Sequence, residues 1–396
     1  MMNLVRDIAD CYPVGEALKA FHTDRAEALD LAIAIQQIPS PTFAEAERAA
    51  FVESRFRESG LLDVHQDTMH NVFGKLPGSG QEDPIVVSAH TDTVFPLDTD
   101  LNVHYENGAK SDNKLIYGPG LADNAMGVAG IMWLARTLKR FKLVTRSDIW
   151  FVANVAEEGL GDLRGMRNVV DRFGFGATYL VVEGGSFGYV FHKAIGVRRF
   201  RLEVTTKGGH SWGDFGRPNA IHIISRIIDD IGKIPLPNNP KTTYNVGVIE
   251  GGISVNSIAS SAHCLLDLRS ISPSVLDKLV GDVKALVYKS NNQSEIHVSL
   301  TKIGHRQAGE IPRQKPPVTW AAEALRFVGC NQISFMAGST DANVPISRGI
   351  PSVCIGLARS GNTHRQDEYL DPAFLPQGMG QLLLLTLAAG DFNHSD

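Results

Sequence analysis

Three short apolar runs constrain the fold more than any other feature of this sequence. They are rich in valine and isoleucine and lack polar alternation, which is typical of strands buried on both faces of a sheet. The runs are Ile85–Ala89, Ile149–Val155 and Tyr179–Val182. The segment Asn124–Phe141, between the first two, is predicted to be a helix. This alternation of strands and helices predicts an α/β domain with a mostly parallel sheet.

The pattern changes after Gly196, where segments with strand-like and helix-like spacing follow in the order strand, helix, strand, strand, helix, strand. They are Val197–Thr205, Asn219–Ile231, Thr242–Ile249, Ala262–Leu268, Ser274–Tyr288 and Ile296–Thr301. This order is typical of a small antiparallel sheet with two helices on one face. A chain of 396 residues also exceeds the size of one ordinary core. We therefore predict a catalytic domain of residues 1–196 and 304–396, with an α+β (βαββαβ) domain of residues 197–303 inserted in it.

Composition and charge exclude several classes of function. The net charge of −5 argues against nucleic acid or an anionic membrane as the main partner. The four cysteines are widely spaced, as expected of reduced thiols. No apolar run approaches the roughly 18 residues of a membrane span, and the first residues lack the pattern of a signal peptide. We therefore expect a soluble, cytoplasmic protein.

Acidic residues and a histidine follow the three apolar runs. His90 comes after the first, Glu157 and Glu158 after the second, and Glu183 after the third. Two adjacent carboxylates at the end of a buried strand are costly unless a cation pairs with them. Because ligands bind at the carboxyl edge of an open α/β sheet, we expect these side chains to meet there.

Three further residues complete a candidate cation site. Asp92 is placed to hold the orientation of the His90 imidazole. Asp123 precedes the predicted helix, where it could be a simple N-cap but could also bridge two cations, and His364 lies in a polar loop. Taken one by one, these residues have ordinary structural explanations. Together they predict two divalent cations with one carboxylate left for proton transfer, which indicates a metallohydrolase.

The motifs that contain these residues resemble a known family, the two-zinc metallopeptidases and amidohydrolases that include aminoacylase, glutamate carboxypeptidase, succinyl-diaminopimelate desuccinylase and peptidase T. The resemblance extends from Pro39 to Asp371 and rests on the segments Ser88–Val94, Gly118–Asn124, Glu157–Gly159 and Gly208–Ser211. It implies one metal held by His90, Asp123 and Glu183, and a second held by Asp123, Glu158 and His364. It also implies a cis peptide bond after Asp123.

The resemblance assigns catalytic and substrate-binding roles as well. Glu157 would be the general base that takes a proton from a metal-bridging water, and His210 would stabilise the oxyanion. Asn256 and Arg269 would bind substrate, with Arg269 gripping a carboxylate. The inserted domain would act as a lid and form a homodimer in which His210 reaches the partner's site. The loop Gly338–Ala342 resembles a loop on the substrate side.

These expectations predict a metal-dependent hydrolase that cleaves an amide or peptide bond in a small substrate with a free carboxylate, as an exopeptidase. An N-acyl-amino-acid deacylase of the acetylornithine deacetylase or desuccinylase type remains open, as does a non-catalytic binding protein or a one-metal enzyme. Glu183 stands where family members that cleave N-carbamoyl substrates usually have a histidine, which argues against an N-carbamoyl substrate for this protein. Zinc is the expected metal, with cobalt or manganese as alternatives.

Overall fold

The chain divides into two units, each with its own apolar core. The computed structural model describes residues 4–108, 114–291 and 295–392. Unit 1 comprises Met1–Ala194 and Glu310–Asp396, and unit 2 comprises Ile195–Gly309.

The helices lie in both units and differ widely in length. In chain order they are α1 (Leu4–Ala9), α2 (Tyr12–Thr23), α3 (Arg25–Gln36), α4 (Ala46–Glu58), α5 (Met126–Arg140), α6 (Arg164–Phe173), α7 (Ala220–Gly232), α8 (Pro273–Ser290), α9 (Val318–Phe327), α10 (Asn343–Ser347) and α11 (Leu375–Ala389).

The strands include long core strands and several short edge pairs. In chain order they are β1 (Leu62–Gln66), β2 (Val72–Leu76), β3 (Glu82–His90), β4 (His104–Tyr105), β5 (Ile116–Tyr117), β6 (Ser147–Asn154), β7 (Thr178–Glu183), β8 (Tyr189–Ala194), β9 (Gly196–Thr206), β10 (Gly209–His210), β11 (Thr242–Gly251), β12 (Ser257–Ile258), β13 (Ser261–Ser270), β14 (Ile296–Arg306), β15 (Gly309–Glu310), β16 (Ser334–Gly338), β17 (Ser352–Gly356), β18 (Arg359–Gly361) and β19 (Tyr369–Asp371).

The main sheet of unit 1 has the order β1-β2-β6-β3-β7-β17-β8-β15, and β16 pairs with β8. Its centre is parallel, because β3 pairs in parallel with β6 and β7, and β17 pairs in parallel with β7. The pairs β1–β2, β2–β6 and β8–β17 are antiparallel. The predicted mostly parallel sheet is confirmed, and its carboxyl edge brings the ends of β6, β3 and β7 together.

Unit 2 contains a four-stranded antiparallel sheet of order β11-β13-β9-β14, with helices α7 and α8 packed on it. The long elements follow the predicted order β9, α7, β11, β13, α8, β14. A separate two-stranded pair joins β10 to β12 and connects the loops that follow His210 and precede Ser257. In the part of the chain that the structure describes, no helix combines the length and apolar character needed to cross a bilayer.

Candidate metal centre

Five of the predicted ligand side chains converge at the carboxyl edge of the unit 1 sheet. Nε2 of His90 lies 3.1 Å from Oδ1 of Asp123 and 3.7 Å from Oε2 of Glu183. Nε2 of His364 lies 3.1 Å from Oδ2 of Asp123 and 3.0 Å from Oε1 of Glu158. Asp123 therefore lies between the two histidines. Ligand atoms of His90, Asp123 and Glu158 all lie within 4.8 Å of one another.

The fold explains why these residues meet. His90 and Glu183 are the last residues of β3 and β7, and both strands run in the same direction. Glu157 and Glu158 follow β6, whose last residue, Asn154, is paired with His90 across the ladder. The parallel register thus delivers these side chains to one edge.

Asp92 connects His90 to the glutamate pair. The ring Nδ1 of His90 lies 3.0 Å from the main-chain oxygen of Asp92, and the Asp92 carboxylate is slightly farther away, at 3.6 Å. That carboxylate accepts hydrogen bonds from the amides of Glu157 and Glu158, at 2.9 and 3.0 Å. With Nδ1 donating to a carbonyl, the Nε2 lone pair of His90 remains to face a cation. Asp92 therefore fixes both the histidine and the backbone of the glutamates.

The turn around Asp123 is tied to the loop that carries Glu183. The Asp123–Asn124 peptide bond is cis, as the family resemblance implied. The Asn124 side chain accepts a hydrogen bond from the Gly184 amide at 2.8 Å and donates to the Val182 carbonyl at 2.9 Å. A Cβ at Gly184 would collide with the carbonyl of Ala122, so glycine allows this close approach.

Glu368 is a buried carboxylate that sequence analysis missed. Its Oε1 accepts hydrogen bonds from the amides of Ala122 and Asp123, and its Oε2 lies 3.4 Å from the amide of His364. Burial and the charge of Asp123 raise the pKa of Glu368 to about 7. The only signal in the sequence is its position four residues after His364.

A second set of missed residues, at the start of α4 and in the turn before it, supports Asp92 and its neighbours. Thr42 donates a hydrogen bond to the Asp92 carboxylate at 2.8 Å, and Glu45 accepts one from the Ala156 amide at 3.1 Å. Arg48 is fully buried and donates to the Thr91 carbonyl at 2.8 Å. Burial lowers the pKa of Arg48 to about 10. Its position one turn before Val52, on the buried face of α4, is a signal that could have identified it.

Asp341, in the loop Gly338–Ala342, lies against the end of β6. Its fully buried carboxylate accepts a hydrogen bond from the Asn154 side chain at 2.6 Å. Burial and the charge of Glu157 raise the pKa of Asp341 well above its ordinary value. The same charge contributes to the raised pKa values of Glu158 and Glu183, so Glu157 lies among these acids.

The electrostatics of the cluster favour a cation. Burial, together with the charge of Asp123, raises the pKa of both Glu158 and Glu183. Hydrogen bonds to Asp123 and Glu158 raise the pKa of His364 to about 10. Burial acts to lower the pKa of His90, but its bonds to Asp123 and other acids hold it well above the ordinary value. The crowded acids thus require positive charge close by, which a divalent cation would supply. Carboxylate oxygens and imidazole nitrogens also suit zinc, so the donor set fits divalent metal.

The other predicted site residues lie in unit 2. His210 and Asn256 are exposed, and the Asn256 carbonyl accepts a hydrogen bond from the Ser211 amide at 3.0 Å. The His210 Nδ1 accepts hydrogen bonds from the amides of Trp212 and Gly213, both at 3.2 Å, which leaves its proton on Nε2. Arg269 donates two hydrogen bonds to Asp267, at 2.7 and 3.2 Å.

Unit 1 therefore contains the larger part of the predicted site, and unit 2 the remainder. The residues in unit 1 are His90, Asp92, Asp123, Glu157, Glu158, Glu183 and His364, and those in unit 2 are His210, Asn256 and Arg269.

Comparison with known proteins identifies a family whose sequence model covers most of this chain. The sequence model of Peptidase family M20/M25/M40 matches residues 86–387. The uncharacterized protein YqjE of Bacillus subtilis is 27% identical, over 81% of this chain and 87% of that protein. A probable carboxypeptidase of Aspergillus clavatus is 26% identical, over 67% of this chain and 64% of that protein. The structure of a tripeptidase from Staphylococcus aureus has a TM-score of 0.76 and 21% identity, covers 92% of this chain and 98% of that chain, and shows a shared fold.

Proposed function

The chain belongs to peptidase family M20/M25/M40 and is a metal-dependent hydrolase, and on this premise we propose that it is an exopeptidase acting on small substrates with a free carboxylate. The observation that carries the proposal is the convergence of Asp123, Glu158, Glu183 and two histidines, close enough to Glu157 for its charge to act on these acids. The tripeptidase and the probable carboxypeptidase among its relatives support cleavage of short peptides.

We assign the metal ligands from the two groups of contacts. His90, Asp123 and Glu183 would hold one divalent cation, and Asp123, Glu158 and His364 would hold a second. The two carboxylate oxygens of Asp123 face different histidines, as a ligand shared by two cations requires. Zinc suits this set of nitrogen and oxygen donors, and cobalt or manganese could replace it.

Glu157 is proposed as the general base. Cations bound in this centre would polarise the scissile carbonyl and make a water molecule more acidic. The Glu157 carboxylate takes a proton from the attacking water and passes it to the leaving amine. Its main-chain amide is fixed by Asp92, and the residue is 5% exposed, so the base is held in a sheltered position.

Residues of unit 2 are proposed to bind the substrate. His210 has Nε2–H available as a donor to the oxyanion that forms on the carbonyl oxygen. The bonds from Arg269 to Asp267 use Nε and Nη2, so its Nη1 edge remains to bind a substrate carboxylate. Asn256 would hold the substrate with its side-chain amide.

A homodimer through unit 2 is also part of the proposal. Trp212, Phe215, Ile253 and Val255, which we call the apolar tip, are each at least 89% exposed. The hydrogen bond from Ser211 to Asn256 and the β10–β12 pair join their two loops. The neighbouring strand β11 is an edge strand. Exposed apolar groups and an unpaired edge are features of surfaces that bind another chain.

A substrate screen tests the proposed activity. Purified protein is incubated with dipeptides, tripeptides, their carboxyl-blocked analogues, and N-acetyl and N-succinyl amino acids. We expect hydrolysis of peptides with a free carboxylate, loss of activity with a chelator, and recovery on adding zinc, cobalt or manganese. Turnover of N-acyl amino acids alone would identify a deacylase instead. Absence of any metal-dependent turnover would overturn the proposal.

A further inference from the structure

Glu368 connects the two loops that carry Asp123 and His364. It is fully buried, and its Oε1 accepts hydrogen bonds from the amides of Ala122, at 2.9 Å, and Asp123, at 3.1 Å. Its other oxygen faces the amide of His364 at 3.4 Å. One side chain thus receives main-chain donors from both loops, while the Asp123 and His364 side chains meet at 3.1 Å.

The main chain of Glu368 reinforces this connection. Its carbonyl accepts a hydrogen bond from the Gly118 amide at 2.9 Å, and its amide donates to the Arg365 carbonyl at 3.0 Å. The side-chain and main-chain bonds therefore reach both ends of the segment from Gly118 to Asp123.

The backbone of His364 needs such support. Its φ is 67°, in the left-handed region that is uncommon for residues other than glycine. A residue in this conformation persists only where surrounding contacts hold it. The amide of His364 points at Glu368, so this contact helps to fix the orientation from which the imidazole reaches Asp123 and Glu158.

The chemistry of the contacts requires a carboxylate. Three amide N–H groups face the two oxygens of Glu368, and both oxygens of an ionised carboxylate accept hydrogen bonds. A glutamine could accept from Ala122 and Asp123, but its NH₂ group would then face the N–H of His364. An aspartate would keep the charge but is one methylene shorter, so it could not reach both loops.

We propose that Glu368 is a positioning residue, which sets the separation of Asp123 and His364 and thereby the affinity of the centre for divalent metal. The proposal rests on the proposed function, since it takes Asp123 and His364 to be metal ligands. Substitution of residues that hold metal ligands in place commonly weakens metal binding by about 10- to 100-fold.

The experiment compares Glu368→Gln, which keeps the reach and removes the charge, with Glu368→Asp, which keeps the charge and shortens the reach. Zinc affinity is measured by competition with a chromophoric chelator, and the visible spectrum of the cobalt-loaded protein reports ligand geometry. Glu82→Gln is the matched control, because it removes a carboxylate that is paired with Arg146 on the surface. Thermal unfolding of the metal-free proteins checks that each variant folds.

We expect both Glu368 variants to bind zinc about 10- to 100-fold more weakly and to show an altered cobalt spectrum, while Glu82→Gln matches the parent. If only one of the two Glu368 variants folds, its zinc affinity and cobalt spectrum decide whether the inference stands. Parent-like affinity and spectrum in a folded Glu368→Gln would overturn the inference, as would parent-like values in Glu368→Asp, which would show that charge alone matters. In either case a parent protein that binds zinc and hydrolyses peptides leaves the proposed function standing. A parent that binds no metal would overturn both.

Discussion

The proposed metal ligands and the proposed substrate-binding residues differ sharply in how they are held. His90 and Glu158 are buried and the His364 side chain is 50% exposed, but Asp92, Asn124 and Glu368 anchor the segments that carry these ligands. In unit 2, His210 is exposed at the end of the short strand β10, and the Arg269 side chain is 40% exposed. A metal centre needs ligands fixed in advance, whereas residues that bind substrate must stay accessible to it. The two groups should therefore respond to mutation in different ways.

The largest expected effect is on turnover, from a residue in the buried group. Glu157→Gln removes the proposed base but keeps the size of the side chain. Because general acid–base catalysis contributes about 10²–10⁴-fold, we expect kcat to fall by that factor. Metal content, measured by elemental analysis, should stay at the parent level, since Glu157 is not a proposed ligand.

The same variant also tests whether Glu157 is distinct from the metal ligands. If Glu157→Gln lost metal together with activity, Glu157 would belong to the ligands and the distinction between base and ligand in unit 1 would fail. An unchanged kcat would remove the base assignment.

A smaller effect on substrate binding is expected from Arg269→Ala. A hydrogen bond to a charged group contributes about 1.5–3 kcal/mol, so KM for substrates with a free carboxylate should rise roughly 10- to 100-fold, with little change in kcat. Asp267 keeps a hydrogen bond from Arg199 at 3.0 Å, which limits the effect on folding. Carboxyl-blocked analogues are the control substrates. An equal rise in KM for blocked and free substrates would reject the carboxylate contact.

The smallest effect on the fold is expected at the apolar tip. Trp212→Ser with Phe215→Ser should change the free energy of unfolding by no more than about 0.5 kcal/mol per site, because both side chains are exposed. The dimer Kd, measured by sedimentation, should rise about tenfold, since loss of a buried aromatic contact costs more than about 1 kcal/mol. Phe175→Ser, at an exposed position in unit 1, is the matched control and should leave the dimer unchanged. A parent protein that stays monomeric would contradict the dimer.

Much of the metal centre was predictable because it follows from strand order. His90, Glu158 and Glu183 each follow a buried apolar run, and parallel strands bring such positions to one edge. The cis bond after Asp123 came from the family resemblance and is confirmed. The mostly parallel sheet is confirmed as well, although strands β1, β2 and β8, which form its antiparallel pairs, were not predicted.

The supporting residues were not predictable in the same way. Glu368 and Glu45 accept hydrogen bonds from backbone amides distant in the sequence, and Thr42 donates one to the distant Asp92 carboxylate. No local pattern of charge or hydrophobicity marks such contacts. Arg48 is partly an exception, since it falls on the buried face of an amphipathic helix. The exposure of Trp212 also contradicts the usual placement of large apolar side chains, and only the structure reveals it.

The hydrogen bonds from Thr42, Glu45 and Arg48 bear on how far the protein could be shortened for expression. All three residues precede residue 86, where the family match begins. A fragment cut at that boundary would leave Asp92, the Ala156 amide and the Thr91 carbonyl each without one partner. A buried polar group that loses its partner costs about 1–3 kcal/mol. The combined loss of about 3–9 kcal/mol is comparable to the whole stability of a domain, about 5–15 kcal/mol, so residues 42–48, which include the start of α4, belong to the smallest working enzyme.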